Sequence, residues 1–91
     1  MMESGLTLEK SVQDFCKANN KDEGDIWQII NRIHAKRYGI DVMNEKHKYE
    51  SDNNLPDVPM SQFFAIKQMV NHAMKILTGL ENCIINNWPL E

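Results

Sequence analysis

The residues able to do chemistry are few and scattered along this 91-residue chain. The histidines His34, His47 and His72 do not recur at the short spacings of metal ligands on a helix or hairpin. The cysteines Cys16 and Cys83 lie far apart, each within an apolar helical pattern. We therefore predict no metal site and expect both cysteines to be free, core-facing thiols rather than a disulfide.

No pattern in the sequence indicates a catalytic centre. His34 and Tyr38 are four residues apart and share a helix face, and we interpret His34 as a residue at the border of the core. Glu50 and Asp52 are neighbours, but their surroundings are too polar to raise a carboxylate pKa. Nucleophile elbows, glycine-rich phosphate loops, HExxH and CxxC motifs are missing from the sequence. We predict a non-enzymatic protein without a cofactor.

Composition indicates one small globular domain over residues 1–91. The apolar fraction of 42% and the charged fraction of 25% are ordinary for a folded protein, and the net charge of −3 is unusual for a general nucleic-acid binder. The sequence has no apolar run of membrane-spanning length and no signal peptide, so we expect a cytoplasmic protein that does not enter membranes.

The segment 25–38 gives the clearest helical pattern. Asp25 suits the N-cap, Gln28 can bond back to it, and Gly39 suits the left-handed position after the last turn. The spacing of its isoleucines predicts one apolar face, formed by Ile26, Ile29, Ile30 and Ile33.

The remaining elements complete a predicted all-α bundle of three main helices and a short fourth. The other main helices are expected at 7–19, with Thr7 as N-cap, and at 59–78, beginning with Pro59 in its first position. The short helix is expected at 81–88, and 40–58 is read as a polar loop. Besides the isoleucines above, the predicted core contains Val12, Phe15, Phe63, Ile66, Val70 and Leu77.

Two regions are candidates for contacting a partner. Basic and aromatic residues gather after the middle of the second helix, at Arg32, Lys36, Arg37, Tyr38, Lys46 and Lys48. The third predicted helix is apolar on two sides, which favours contact with another subunit through Phe64 and Met74.

A further pattern links the second and third helices. The step Arg37-Tyr38-Gly39-Ile40 ends the second helix, and the run 55–63, LPDVPMSQF, leads into the third with a hydrophobic-Pro pair. An aromatic residue four positions after the proline and an apolar residue three further on are supplied by Phe63 and Ile66. Over residues 26–77 the chain resembles the small C-terminal helical domain of phage antirepressors and related phage regulatory proteins. The loop before Pro59 is longer and more polar than in that family.

The resemblance implies a regulatory protein-binding module that self-associates or engages another protein. We therefore predict a non-enzymatic interaction domain, of phage type, that binds a protein partner or forms homo-oligomers. The first alternative is a small DNA-binding regulator that uses the basic end of the second helix. In that case Gln28, Asn31, Arg32 and Lys36 would face the DNA. The second alternative is a small inhibitor of a host enzyme.

Overall fold

The computed structural model describes residues 3–90, which form five helices and no strand. The first two are α1 (Glu3–Asn19) and α2 (Glu23–Tyr38), and α3 (Val42–Asp52) follows after a short turn. The last two are α4 (Met60–Ile66) and α5 (Val70–Ile85). The all-α prediction is confirmed, and the number and bounds of the helices differ from those predicted.

The predicted loop at 40–58 contains a helix, α3. The Asp41 side chain caps it by accepting a hydrogen bond of 3.2 Å from the Asn44 amide. Its inner face consists of Val42, Lys46 and Tyr49, of which Val42 and Lys46 are buried. The prediction was wrong because this inner face has a lysine where an apolar residue would mark the helical period.

The predicted third helix, 59–78, is two helices. α4 ends at Ile66, and Gln68 then takes a left-handed φ of 58°. α5 begins at Val70 and runs through Gly79 to Ile85, so the predicted separate helix at 81–88 is instead the last turn of α5 followed by a turn. Pro59 is the residue before α4, rather than its first helical residue.

Two predicted helix starts were too late. α1 is already helical at Glu3, so Thr7 lies inside the helix. α2 begins after Asp22, whose side chain accepts a hydrogen bond of 3.1 Å from the Asp25 amide. Asp25 is therefore part of the first turn, where its charge favours the helix dipole. The predicted end of α2 is confirmed, since Gly39 has a φ of 71° and donates its N–H to the Ala35 carbonyl.

Three Asn-Asn pairs end α1, α3 and α5 in the same way. In each pair, at 19–20, 53–54 and 86–87, the first side chain donates to the carbonyl four residues earlier, over 2.9, 2.9 and 2.8 Å. The second asparagine takes a left-handed φ of 53°, 52° or 57°. The next residue then donates its amide to the carbonyl five positions back, as in a Schellman motif. The pairs are therefore local stop signals for the helices.

The core lies where α1 packs against α4 and α5, and α2 closes it from the side. The largest fully buried side chains include Leu8, Ile30, Phe63, Phe64 and Leu80. Of the predicted core residues, those that are buried are Val12, Phe15, Ile26, Ile30, Phe63 and Leu77. Ile29, Ile33 and Val70 are half-buried against the core, whereas Ile66 is 36% exposed. Ile66 was predicted wrongly because α4 ends there, and the turn carries its side chain outward.

Candidate functional site

An open groove of about 570 Å³ follows the outer face of α2. We call it the α2 groove. Its floor is one face of α2, and its opposite wall is built from the start of α3, the residue before it and the start of α4. The lining residues are Gly24, Trp27, Gln28, Asn31, Arg32, Ala35, Asp41, Met43 and Met60.

The spacing of the lining residues explains the shape of the groove. From Gly24 to Ala35 they recur every three or four positions, so one stripe of α2 runs along the floor. At 1.5 Å per residue this stripe is about 16 Å long, or three helical turns. Gly24 and Ala35 leave room at its two ends because their side chains are absent or small. The α2 groove is therefore as long as a helical segment of about three turns.

Large apolar side chains give the α2 groove its character. The Trp27 ring packs at a tilt on the buried Phe64 ring, with centroids 5.9 Å apart, and this contact fixes the indole. Met43 is 41% exposed and Met60 is half-buried. Because methionine is unbranched and flexible, these two side chains can adjust to the shape of an incoming group.

Asn31 is a polar residue in the middle of the α2 groove. Its Oδ1 atom is shielded from solvent and has no hydrogen-bond partner within residues 3–90. Its Nδ2 atom has only a weak contact of 3.9 Å with the Met60 sulfur. A shielded carbonyl oxygen without a donor costs about 1–3 kcal/mol, so this amide would gain from an external donor.

Charge changes from one end of α2 to the other. Glu23 and Asp25 occupy the first turn of α2, and Lys36 and Arg37 occupy its last turn. All four residues are exposed. A partner that lies along α2 therefore meets acidic groups at one end and basic groups at the other.

A cluster of aromatic rings on the other side of α2 ties it to α5. His34 is fully buried, rather than at the border of the core as predicted. Its Nδ1 lies 3.3 Å from the Ile40 carbonyl oxygen and its Nε2 lies 3.1 Å from Nδ1 of His72. Tyr38, a predicted partner-binding residue, stacks on His72 with centroids 3.8 Å apart. Burial lowers the pKa of His34, and the nearby His72 lowers it further, against the opposing effect of the Ile40 carbonyl.

Two other predicted partner-binding residues are not available on the surface. Phe64 is fully buried, and Lys46 is 4% exposed. The Lys46 ammonium donates to Glu50 over 2.8 Å and to Asp57 over 2.7 Å. Burial alone would lower the pKa of Lys46, but the hydrogen bonds to these two carboxylates outweigh it and raise the pKa. Both residues were assigned wrongly to a binding surface.

The remaining predicted partner-binding residues are divided among α2, α3 and α5. Arg32 lines the groove, and Lys36 and Arg37 lie at the basic end of α2. Lys48 is exposed on α3, and Met74 is half-buried on α5. Trp27, Met43 and Met60 were not predicted as binding-surface residues. The i, i+3, i+4 spacing of Gly24, Trp27, Asn31 and Ala35 could have indicated this second face.

Residues 3–90 contain no group of three His, Cys, Asp or Glu side chains that could hold a metal ion. Cys16 and Cys83 are free thiols, and Cys16 is buried. Burial, helped by the carboxylates of Glu23 and Asp22, raises the pKa of the Cys16 thiol. The thiol therefore stays protonated and is a poor nucleophile at neutral pH.

Comparison of the chain with protein-family models, curated proteins and solved structures finds no match. The similarity to phage antirepressor domains therefore stays a prediction from the sequence. Within residues 3–90, no helix is both long enough and apolar enough to cross a membrane.

Proposed function

We propose that this chain is a protein-binding module that holds an amphipathic helix of a protein partner in the α2 groove. The observation that carries the proposal is the three-turn apolar groove, with Trp27 fixed in its floor and Met43 on its wall. Docking of a helix into an apolar groove is a common mode of peptide recognition. The apolar face of the partner helix would cover Trp27, Met43 and Met60, and its polar residues would meet the charged ends of α2.

The same surface supports protein binding better than DNA binding. Lys46 is neutralised by two carboxylates, so it adds nothing to a phosphate-binding surface. The first turn of α2 carries Glu23 and Asp25, which would repel the DNA backbone. DNA binding and inhibition of a host enzyme stay alternatives predicted from the sequence. A role in phage-type regulation is part of the proposal only through the resemblance described above.

Selection of peptides from a displayed library of amphipathic helices would test this proposal. We expect the selected peptides to carry large apolar side chains at helical spacing. Met43→Lys should weaken their binding at least about tenfold, because it places a charge on the apolar wall. Leu55→Lys is the matched control, since Leu55 is 43% exposed, close to the 41% of Met43, and does not line the α2 groove.

Two results would contradict the proposal. One is a library that yields no binding helix. The other is a set of selected peptides that bind the wild-type protein and the Met43→Lys variant equally well. A circular dichroism melt of each variant establishes that both remain folded.

A further inference from the structure

We propose that the helix bound in the α2 groove is α2 of a second copy of this chain, running antiparallel in a two-fold symmetric dimer. This inference rests on the proposed function, because it assigns an occupant to the same groove. Three properties of α2 support it: the order of its charges, the pairing of its large and small side chains, and the position of Asn31.

The charges of α2 complement themselves when one copy is reversed. The acidic first turn of one helix then lies beside the basic last turn of the other, which brings Asp25 near Lys36. The two-fold symmetry produces this pair twice. A parallel arrangement would instead place like charges together at both ends, and opposed helix dipoles also favour the antiparallel one.

Side-chain size matches in the same register. A symmetry axis at position 31 places Trp27 opposite Ala35 of the second copy, and it keeps Asp25 within one residue of Lys36. A large ring therefore meets a small side chain at both ends of the contact, as ridges and grooves of packed helices require. Met43 and Met60 flank the pair on each side and can adjust to it.

Asn31 lies beside the symmetry axis in this arrangement. Rotation of its amide away from the Met60 sulfur, 3.9 Å from Nδ2, would let the two Asn31 amides bond to each other reciprocally. Each Oδ1, which has no partner within residues 3–90, would then accept from Nδ2 of the other copy. In coiled coils, a buried asparagine at the helix contact fixes the register and orientation of pairing. The dimer would therefore satisfy the one shielded side-chain nitrogen or oxygen atom that lacks a partner within residues 3–90.

The proposed dimer interface is small, so we expect a weak dimer. Two three-turn helix faces with their flanking methionines bury less than the standard interface of about 800 Å² per partner. We expect a Kd on the order of 10 µM that rises with ionic strength, because exposed charge pairs contribute to it.

A charge exchange tests the arrangement by sedimentation equilibrium between about 1 and 300 µM. Asp25→Lys alone, or Lys36→Asp alone, places like charges together twice in the dimer and should weaken it about tenfold. The double variant Asp25→Lys with Lys36→Asp restores opposite charges and should recover the wild-type Kd. If the substitutions acted only by destabilising α2, the double variant would form the weakest dimer of the three, because both changes oppose the α2 dipole.

Asn31→Asp provides an independent test, because it keeps the side-chain shape and places two carboxylates beside the symmetry axis. We expect it to weaken the dimer at least tenfold at pH 7 while the circular dichroism spectrum stays helical. A monomer at every concentration, or a dimer whose Kd does not respond to these variants, overturns the inference. In that case, binding of library peptides that depends on Met43 would still support the proposed function, so the two claims fail separately.

Discussion

His34 in α2 and His72 in α5 share one hydrogen bond, with Nε2 of His34 lying 3.1 Å from Nδ1 of His72. The other His34 nitrogen faces the Ile40 carbonyl, which can only accept, so the proton of the neutral ring belongs on Nδ1. Nε2 of His34 therefore accepts the N–H of His72. A proton added to Nε2 of His34 would point at the N–H of His72, so protonation of His34 breaks this hydrogen bond.

The histidine pair predicts a loss of stability in mild acid. Because the pKa of His34 is lowered from its ordinary 6.5, the unfolded chain binds a proton that the folded chain resists. Stability is therefore fully present above about pH 6.5 and falls as the pH drops through the lowered pKa. Urea unfolding at pH 8, 7, 6 and 5 should show this decline. His34→Phe should flatten it, whereas replacement of the exposed His47 by Gln should leave it in place.

Lys46 ties the segment after α3 to that helix, because its ammonium donates both to Glu50 in α3 and to Asp57 in the segment. The Glu50 side chain is 13% exposed and the Asp57 side chain is 90% exposed, so solvent screens the Asp57 ion pair more. We therefore expect Glu50→Gln to lower the melting temperature more than Asp57→Asn does. The hydrogen bond to Lys46 lowers the pKa of both carboxyl groups. Their contribution is therefore present above about pH 4.5 and is lost as the pH falls below it. Equal effects of the two substitutions at pH 7 would contradict this account.

Replacement of two helical glycines by alanine should change the stability of the protein in opposite directions. A Cβ at Gly5 would lie 2.1 Å from Nε2 of Gln62, a side chain only 9% exposed where α1 meets α4. A Cβ at Gly79 would meet no atom within 4 Å. We expect Gly79→Ala to stabilise the protein by about 0.5–1 kcal/mol through helix propensity, and Gly5→Ala to destabilise it by about 1 kcal/mol. Chemical denaturation of both variants measures the change in the free energy of unfolding and shows whether its sign differs between them.

The break between α4 and α5 carries strain that glycine can relieve. Gln68 has a φ of 58°, a conformation that costs a residue with a Cβ about 1–2 kcal/mol. Gln68→Gly should raise the free energy of unfolding by about 0.5–1 kcal/mol after the entropy of the unfolded chain is counted. Asn54→Gly is the control, since asparagine tolerates a φ of 52° and the change should be only a few tenths of a kcal/mol. Equal gains at both positions would show that Gln68 is not strained.

The sequence predicted α2 and its end well because local signals agree there. The isoleucine stripe has the helical period, and Gly39 provides the left-handed residue that stops it. Helix α3 was not predicted, because a charged residue, Lys46, occupies its inner face. Burial of Lys46 is possible because Glu50 and Asp57 neutralise it, and Asp57 lies beyond the end of the helix. The 53–54 asparagine pair did mark its end, but an Asn-Asn pair also suits a loop. The break at Gln68 had no local signal, because glutamine seldom ends helices.

The groove could not be predicted because it depends on packing between elements. Trp27 is held by Phe64 of α4, and the opposite wall comes from Met43 and Met60, which are distant in the sequence. The charge order along α2 was readable from the sequence. The proposed pairing of α2 with a second copy also depends on the open α2 groove, and that groove is formed only by the packing of α3 and α4 beside α2.

The most direct test of the proposed function is an NMR titration of the ¹⁵N-labelled protein with a library-selected helical peptide. We expect the largest amide shift changes along one face of α2, at Gly24, Trp27 and Asn31, and at Met43 across the α2 groove. The exposed Ile85 and Trp88 at the end of α5 should not change. Shift changes centred on the end of α5, with the α2 groove unaffected, would contradict the account.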